Sequence, residues 1–133
     1  MRILALDHGT VRCGVAVSDP TQTVVTPIRA ISPPDPKEVA AVVAEYDAGR
    51  VVVGLPVSLS GEEGAQARLT RAFADELGEL IEVPVEMYDE RLTTSLAEQS
   101  ARGGASADRD SLAAAHLLES YLASRGSEEE RGG

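Results

Sequence analysis

MRILALDHGTVRCGVAVSD, residues 1–19, places two apolar runs on either side of a short polar turn. Residues 3–6 are an uninterrupted apolar run, which predicts a buried strand, and residues 15–17 predict a second strand after the turn. Asp7 follows the first run directly, at the point where a strand of the core reaches the surface. Aspartates at strand ends commonly bond the backbone of a turn, so Asp7 alone does not establish a binding site.

Length and composition limit the classes of protein to which the chain can belong. Its 133 residues suffice for one domain with a hydrophobic core, and the single cysteine, Cys13, excludes an internal disulfide. We expect a cytoplasmic protein, because no apolar run reaches the length of a membrane helix and Met1 leads straight into a strand. Aromatic residues make up 3% of the chain, which disfavours a surface that stacks on bases.

The acidic charge argues against strong long-range attraction to nucleic acid. Twelve Lys and Arg residues against 22 Asp and Glu residues give a net charge of −10, which a merely soluble acidic surface would also have. Part of the acidic excess lies in residues 125–133, a polar segment that we expect to be a disordered acidic tail. The predicted domain therefore spans residues 1–124.

The rest of the chain alternates predicted strands and helices. Strands are predicted at residues 23–31, 51–53 and 83–90, and helices from Pro36 until Gly49, from Glu63 with Leu69, Phe73, Leu77 and Leu80 on one side, and at residues 96–101 and 111–124. Three successive strands favour an antiparallel meander, whereas strands separated by helices favour parallel additions. We expect an α/β fold in which helices flank a mixed five-stranded sheet, with ligands at the carboxyl ends of the parallel strands.

Four carboxylates could meet at that edge of the sheet. Asp7 ends the first strand, Asp89 and Glu90 end the fifth, and Asp110 begins the last helix. Clustered carboxylates repel one another, so a protein keeps them together mainly where cations bind. Oxygen ligands suit Mg²⁺ or Mn²⁺, and two such ions about 3.5 to 4 Å apart can activate a water and stabilise the leaving oxygen of a phosphodiester.

These and other polar residues also have purely structural interpretations. Asp110 can be only the N-cap of its helix, and the acidic pair of the fifth strand can be a solvated strand end. His8 and His116 have no Cys or His neighbour at zinc spacing, so we expect both to be structural. Cys13 lies inside a strand pair and is expected to serve packing.

Four motifs resemble, in their order along the chain, those of the YqgF family, which is also called RuvX. They are LALDHGTVRCGVAVSD at residues 4–19, VVVGLPVSLSGEEG at residues 51–64, DERLTT at residues 89–94 and DSLAAAHLLESYL at residues 110–122. The resemblance covers nearly the whole chain, from Met1 to about Ser124. It implies an RNase H-like fold and one of the activities described for the family, which are Holliday-junction resolution and maturation of precursor ribosomal RNA.

The resemblance also implies roles for particular residues. Asp7, Glu90 and Asp110 would be the catalytic, metal-binding carboxylates, together holding Mg²⁺ or Mn²⁺, with Asp89 as the alternative ligand from the fifth strand. Of that pair we favour Glu90, because strand alternation is compatible with its facing the rim. Contacts to the phosphate backbone are expected from Thr10, Arg12, Arg91 and Arg109.

The implied activity is that of a metal-dependent endonuclease for structured nucleic acid. The most direct version processes the 5′ end of precursor 16S ribosomal RNA, with a ribosomal precursor particle as partner and no membrane. An alternative is a Holliday-junction resolvase for branched DNA, which would act as a homodimer because a four-way junction needs two symmetric cuts. A non-catalytic ribosome-assembly factor is a further alternative. A sugar-kinase-like phosphotransferase is disfavoured, since such enzymes need two domains of this kind.

Overall fold

The computed structural model describes residues 1–93 and 110–132, with side chains as far as Arg125. The elements in chain order are β1 (Arg2–His8), β2 (Cys13–Ser18), β3 (Val25–Ile31), α1 (Pro36–Glu45), β4 (Ala48–Leu55), α2 (Ala65–Leu80), β5 (Val85–Asp89), a short 3₁₀ helix (Glu90–Leu92) and α3 (Leu112–Gly132). In these ranges no helix is long and apolar enough to cross a membrane.

The five strands form one mixed sheet in the order β3-β2-β1-β4-β5. The first three strands pair antiparallel, whereas β1 with β4 and β4 with β5 pair parallel. This arrangement confirms the meander with parallel additions. It also brings the carboxyl ends of β1, β4 and β5 to one edge, as expected for a ligand-binding edge.

Both faces of the sheet are covered, and β1 is buried on each side. Leu4 and Leu6 pack with residues of α1 and α2, whereas Ile3 and Ala5 pack with residues of α3. Successive side chains of a strand point to opposite faces, so Asp7 lies on the face that α3 covers. The position of α3 therefore decides what surrounds Asp7.

The first turn of α3 packs directly on the backbone of β2. A Cβ atom at Gly14 would lie 2.5 Å from the carbonyl oxygen of Asp110 and 3.2 Å from the Cα atom of Ser111. The backbone N–H of Val15 donates a buried hydrogen bond of 2.9 Å to the Ser111 hydroxyl. The absence of a side chain at Gly14 and this bond together fix where α3 begins.

Two sequence predictions about helix ends are wrong. The first helix ends at Glu45 instead of continuing to Gly49, because Asp47 adopts the left-handed conformation (φ 52°) and reverses the chain. Gly49 accordingly lies inside β4, which is longer than the predicted residues 51–53. At the other end of the chain, α3 continues past Ser124 to Gly132. The division into a domain and an acidic tail stays a prediction.

The buried side of α2 also differs from the predicted one. Phe73 and Leu77 are buried as expected, but Leu69 and Leu80 are 52% and 47% exposed. Ala67, Thr70 and Ala74 are buried in their place. Small side chains thus allow α2 to pack closely, which a count of leucines does not reveal. The predicted helix at residues 96–101 lies outside the described residues.

We expect Ser111→Ala to lower the free energy of unfolding by about 1–3 kcal/mol, because it leaves the buried N–H of Val15 without an acceptor. Urea denaturation followed by circular dichroism measures the change. Ser60→Ala is the matched control, since Ser60 is exposed and, among the described residues, its hydroxyl bonds the neighbouring Ser58 hydroxyl alone. Equal effects of the two substitutions would contradict this role for Ser111.

Candidate functional site

Asp7 and Glu90 meet in one pocket at the carboxyl ends of β1 and β5. The pocket encloses about 290 Å³ and is lined by Asp7, Glu90, Thr93, Ala113, His116 and Leu117. Asp7 comes from β1, Glu90 begins the 3₁₀ helix after β5, and α3 supplies the wall opposite the sheet. We call this site the Asp7–Glu90 pocket.

The Glu90 carboxyl group is electrostatically unfavourable in its ionised form. Burial raises its pKa first, and the charge of Asp7, a hydrogen bond with Asp7 and the charge of Asp89 raise it further, to about 7. No lysine or arginine is among the described residues that line the pocket. Either a proton or a bound cation is therefore needed to offset the repulsion between the two carboxylates.

Gly54 of β4 leaves the space that the Glu90 side chain occupies. A Cβ atom at Gly54 would lie 2.8 Å from Oε1 and 3.1 Å from Cγ of Glu90, and 3.1 Å from Cδ2 of Leu117. Any residue other than glycine would therefore displace Glu90 or Leu117. This contact gives a physical reason for the glycine in the GLP segment of the second motif.

Asp89 is turned to a different partner. Its carboxylate accepts hydrogen bonds from the Arg91 guanidinium at 2.6 and 3.0 Å and from the Arg91 backbone N–H at 2.9 Å. The side-chain bonds from Arg91, and then the backbone bond, lower the pKa of Asp89. Arg91 also reaches the carbonyl oxygens of Ser58 and Leu59 weakly, at 3.4 and 3.5 Å. Of the two adjacent carboxylates, only Glu90 lines the pocket with Asp7.

Asp110 lies beside the pocket and is paired with Arg12. The distance between Asp110 Oδ1 and Arg12 Nη1 is 2.9 Å, and both side chains are about half exposed. They line a separate surface depression together with Arg29 and Ser32. The structure thus places the predicted third carboxylate next to a predicted phosphate contact, and a role of Asp110 as a metal ligand stays a prediction.

Thr10, another predicted site residue, lies away from the Asp7–Glu90 pocket. Thr10 is exposed and lines a groove with His8 and Phe73 on the face that α1 and α2 cover. Arg109 is outside the described residues. Cys13 is fully buried in the core, and burial raises its pKa to about 12, so it serves packing as expected.

His116 lines the pocket, although the sequence led us to expect a purely structural histidine. It is 6% exposed, and its Nδ1 atom has no hydrogen-bond partner within residues 1–93 and 110–125. The Oγ1 atom of Thr93, in the same pocket, is likewise buried without a partner in that part of the chain. No spacing rule pairs these two residues, since a loop residue and a helix residue meet only in the folded chain.

The carboxylates of the pocket fit one hydrated divalent cation. The raised pKa of Glu90 shows that a positive charge would be stabilised between Asp7 and Glu90. Mg²⁺ commonly takes one or two carboxylates and completes its coordination with water and substrate oxygens. Among the described residues, no group of three or more His, Cys, Asp or Glu side chains is arranged to hold a metal.

Comparison with known proteins identifies close relatives. A family model described as "RuvX: Holliday junction resolvase" matches residues 1–124. Two relatives are each named "Putative pre-16S rRNA nuclease". The one from Chloroflexus aurantiacus is 40% identical, over 97% of this chain and 91% of the relative, and the one from Thermobifida fusca is 51% identical, over 77% of this chain and 67% of the relative.

Solved structures resemble the chain in fold. RuvC from Thermus thermophilus in complex with a Holliday-junction substrate superposes with a TM-score of 0.53 at 19% identity, covering 95% of this chain and 96% of the other. The fowlpox virus Holliday-junction resolvase gives a TM-score of 0.54 at 14% identity, covering 93% and 99%. These similarities confirm the RNase H-like fold.

We expect Gly54→Ala to lower the free energy of unfolding by about 1–3 kcal/mol, because the added methyl group collides with Glu90 and Leu117. Chemical denaturation measures this change. The matched control is Gly78→Ala, since Gly78 lies within α2 and a Cβ atom there meets nothing within 4 Å. That control should stabilise the protein by about 0.5–1 kcal/mol. Similar stabilities of the two variants would refute the contact.

The metal-free protein should titrate Glu90 at about 7, above its ordinary value of 4.5. Between these values the native state holds a proton that the unfolded chain has lost, so this group's contribution to stability declines as the pH rises from about 4.5 to about 7. Carbon-detected NMR of the glutamate carboxyl groups measures the pKa. Asp7→Asn should lower it more than Asp89→Asn, because Asp7 contributes the larger electrostatic effect. Equal effects would contradict this account.

Proposed function

Because the chain belongs to the RuvX family, whose model matches residues 1–124, we propose that it is a metal-dependent endonuclease that processes the 5′ end of precursor 16S ribosomal RNA. The observation that carries this proposal is the meeting of Asp7 and Glu90 in one pocket at the carboxyl edge of the parallel strands. The relatives named as pre-16S rRNA nucleases support the choice of substrate. The reaction is hydrolysis of a phosphodiester in the cytoplasm.

Each residue in and around the pocket would have its own role in this reaction. Asp7 and Glu90 would hold Mg²⁺ or Mn²⁺, and Gly54 leaves the space that the Glu90 side chain occupies. When bound, such an ion lowers the pKa of a water and neutralises charge that develops on the phosphate. Arg12 and Arg91 lie outside the pocket, each paired with a carboxylate, and their guanidinium groups would contact neighbouring phosphates of the strand. Asp110, which is paired with Arg12, would be the candidate ligand of a second ion.

The acidic net charge is compatible with a nuclease whose affinity for nucleic acid comes mainly from the residues in and around the Asp7–Glu90 pocket. A net charge of −10 repels the nucleic-acid backbone at long range. Binding of the nucleic acid would therefore depend on cations between Asp7 and Glu90 and on Arg12 and Arg91. We propose that a ribosomal precursor particle, which presents the RNA already folded, is the partner in the cell.

A second candidate function is Holliday-junction resolution, which the description of the family model favours. The reaction at each phosphodiester is the same, but the substrate is branched DNA. Two strands must be cut symmetrically, so this function requires a homodimer with two pockets. Pocket chemistry alone does not separate the two candidates, because such a site grips phosphate without reading bases.

Asp7→Asn and Glu90→Gln should each slow cleavage by at least about a hundredfold, because each removes a ligand of the ion that stabilises the transition state. We would incubate the variants and the wild type with precursor 16S ribosomal RNA and with a four-way DNA junction, in Mg²⁺, Mn²⁺ or EDTA. Asp89→Asn is the matched control, since Asp89 binds Arg91 outside the pocket. It should slow cleavage less than about fivefold, as expected for a partly exposed ion pair.

The substrate that is cut decides between the two functions. Cleavage of the RNA alone, dependent on metal and on Asp7, supports ribosomal RNA processing, whereas cleavage of the junction alone supports the resolvase. Binding of precursor RNA without cleavage in any metal would overturn both and favour an assembly factor.

A further inference from the structure

Two polar side chains of the Asp7–Glu90 pocket have no part in the chemistry described above. Thr93 Oγ1 and His116 Nδ1 are both buried, and neither has a hydrogen-bond partner among the residues that the structure describes. Buried polar atoms are nearly always bonded in folded proteins, so an unpartnered one calls for an explanation. Here the two residues that carry such atoms, Thr93 and His116, line the same pocket.

The other buried atoms without a hydrogen bond in the described chain have a different setting. They belong to Arg50 and Glu86, which form an ion pair with each other at 3.7 Å. Thr93 and His116 have no such counter-group in the described part of the chain. Their position in a cavity that also contains two carboxylates points to a ligand as the partner.

A second histidine and threonine pair shows what a structural pair looks like in this protein. His8 Nδ1 and Thr70 Oγ1 lie 3.2 Å apart and satisfy each other, and the His8 ring stacks on Phe73 at 4.4 Å between ring centres. That pair lies on the face of the sheet covered by α2, and its two polar atoms bond each other. Thr93 and His116, in the Asp7–Glu90 pocket, have no such bond among the described residues.

We propose that Thr93 Oγ1 and His116 Nδ1 bind an oxygen of a nucleic-acid phosphate group held in the Asp7–Glu90 pocket. A hydroxyl and an imidazole nitrogen can both donate to a phosphate oxygen, whereas the two carboxylates can only accept. A phosphate that completes the coordination of a cation on Asp7 and Glu90 thus finds donors on the remaining wall. The inference rests on the proposed function for the identity of the phosphate.

The described geometry favours this role over direct metal ligation. His116 does not form a group of three metal-binding side chains with Asp7 and Glu90 within the described residues. The pocket, at about 290 Å³, is also far larger than the roughly 30 Å³ share of one water molecule. The volume of the pocket therefore leaves room for a ligand larger than one water molecule.

The first test uses inorganic phosphate with Mg²⁺ as the probe and the two imidazole rings as reporters. The chain contains only two histidines, so ¹H–¹⁵N NMR of the ring nitrogens separates His116 from His8. We expect phosphate to shift the His116 signals in a saturable way and to leave His8 unchanged. Thr93→Val should raise the dissociation constant by about three- to tenfold, and the matched control Thr70→Val should not. No shift of His116 at saturating phosphate and Mg²⁺ would overturn the inference.

Thermal unfolding of the metal-free protein supplies a readout that does not depend on ligand. Thr93→Val and His116→Leu should leave the midpoint unchanged or raise it, because each replaces an unsatisfied polar atom by an apolar one. Thr70→Val should lower the midpoint, because it leaves His8 without its partner. A loss of stability in Thr93→Val equal to that in Thr70→Val would show that the Thr93 hydroxyl is bonded within the protein, and would refute the proposal.

Failure of this inference can be told apart from failure of the proposed function. Phosphate binding at His116 by a protein that cleaves neither nucleic acid would leave the inference standing and remove the nuclease. If Thr93→Val and His116→Leu both cleave with the wild-type kcat/KM, the inference fails and the nuclease function stands. His116→Asn, which keeps a polar atom near the position of Nδ1, should recover part of the activity that His116→Leu loses.

Discussion

The space around Asp7 exists because the sheet carries no side chain on either side of it. Gly14 of β2 pairs with Asp7, and Gly54 of β4 follows Val53, which pairs with Leu6. A Cβ atom at Gly14 would strike the start of α3, and one at Gly54 would strike Glu90. The two glycines let a helix approach from one side and a carboxylate from the other. The pocket is thus built into the backbone before any metal or substrate arrives.

Charge then decides what this pocket can hold. Two carboxylates share it without a lysine or arginine among the described lining residues, and burial, followed by the charge of Asp7, raises the pKa of Glu90 to about 7. A protein that needed only stability would replace such a pair by apolar groups, since unpaired buried charge is costly. Retention of the pair is understandable if a cation offsets the repulsion in the working state. By the same reasoning, a cation in the pocket would allow this acidic protein to bind the nucleic acid that we propose as its substrate.

The sheet, and the two carboxylates Asp7 and Glu90 at its edge, could be predicted from the sequence. Strand alternation is a local property of the chain, and strand order follows from the way in which the strands are connected. Strand alternation was compatible with Glu90 facing the site but did not decide between Glu90 and Asp89, and in the structure Glu90 lines the pocket from the 3₁₀ helix that follows β5. Helix ends and helix faces were less predictable, because Gly49 lies in a strand and Leu80 is half exposed. His116 could not be assigned to the site, since its significance depends on Thr93, which is distant in the chain.

Rigidity is distributed unevenly over the candidate site, and the distribution suits the chemistry. Asp7 extends from a strand that is buried on both faces, so its position can change little without disturbing the core. The ion pair between Asp110 and Arg12 is about half exposed, and such pairs contribute only about 0–1 kcal/mol. The free energy needed to separate Asp110 from Arg12 is therefore small compared with the free energy of binding a metal or a phosphate. In the function that we propose, the fixed carboxylate pair would hold the first ion while the exposed pair adapts to the strand that enters.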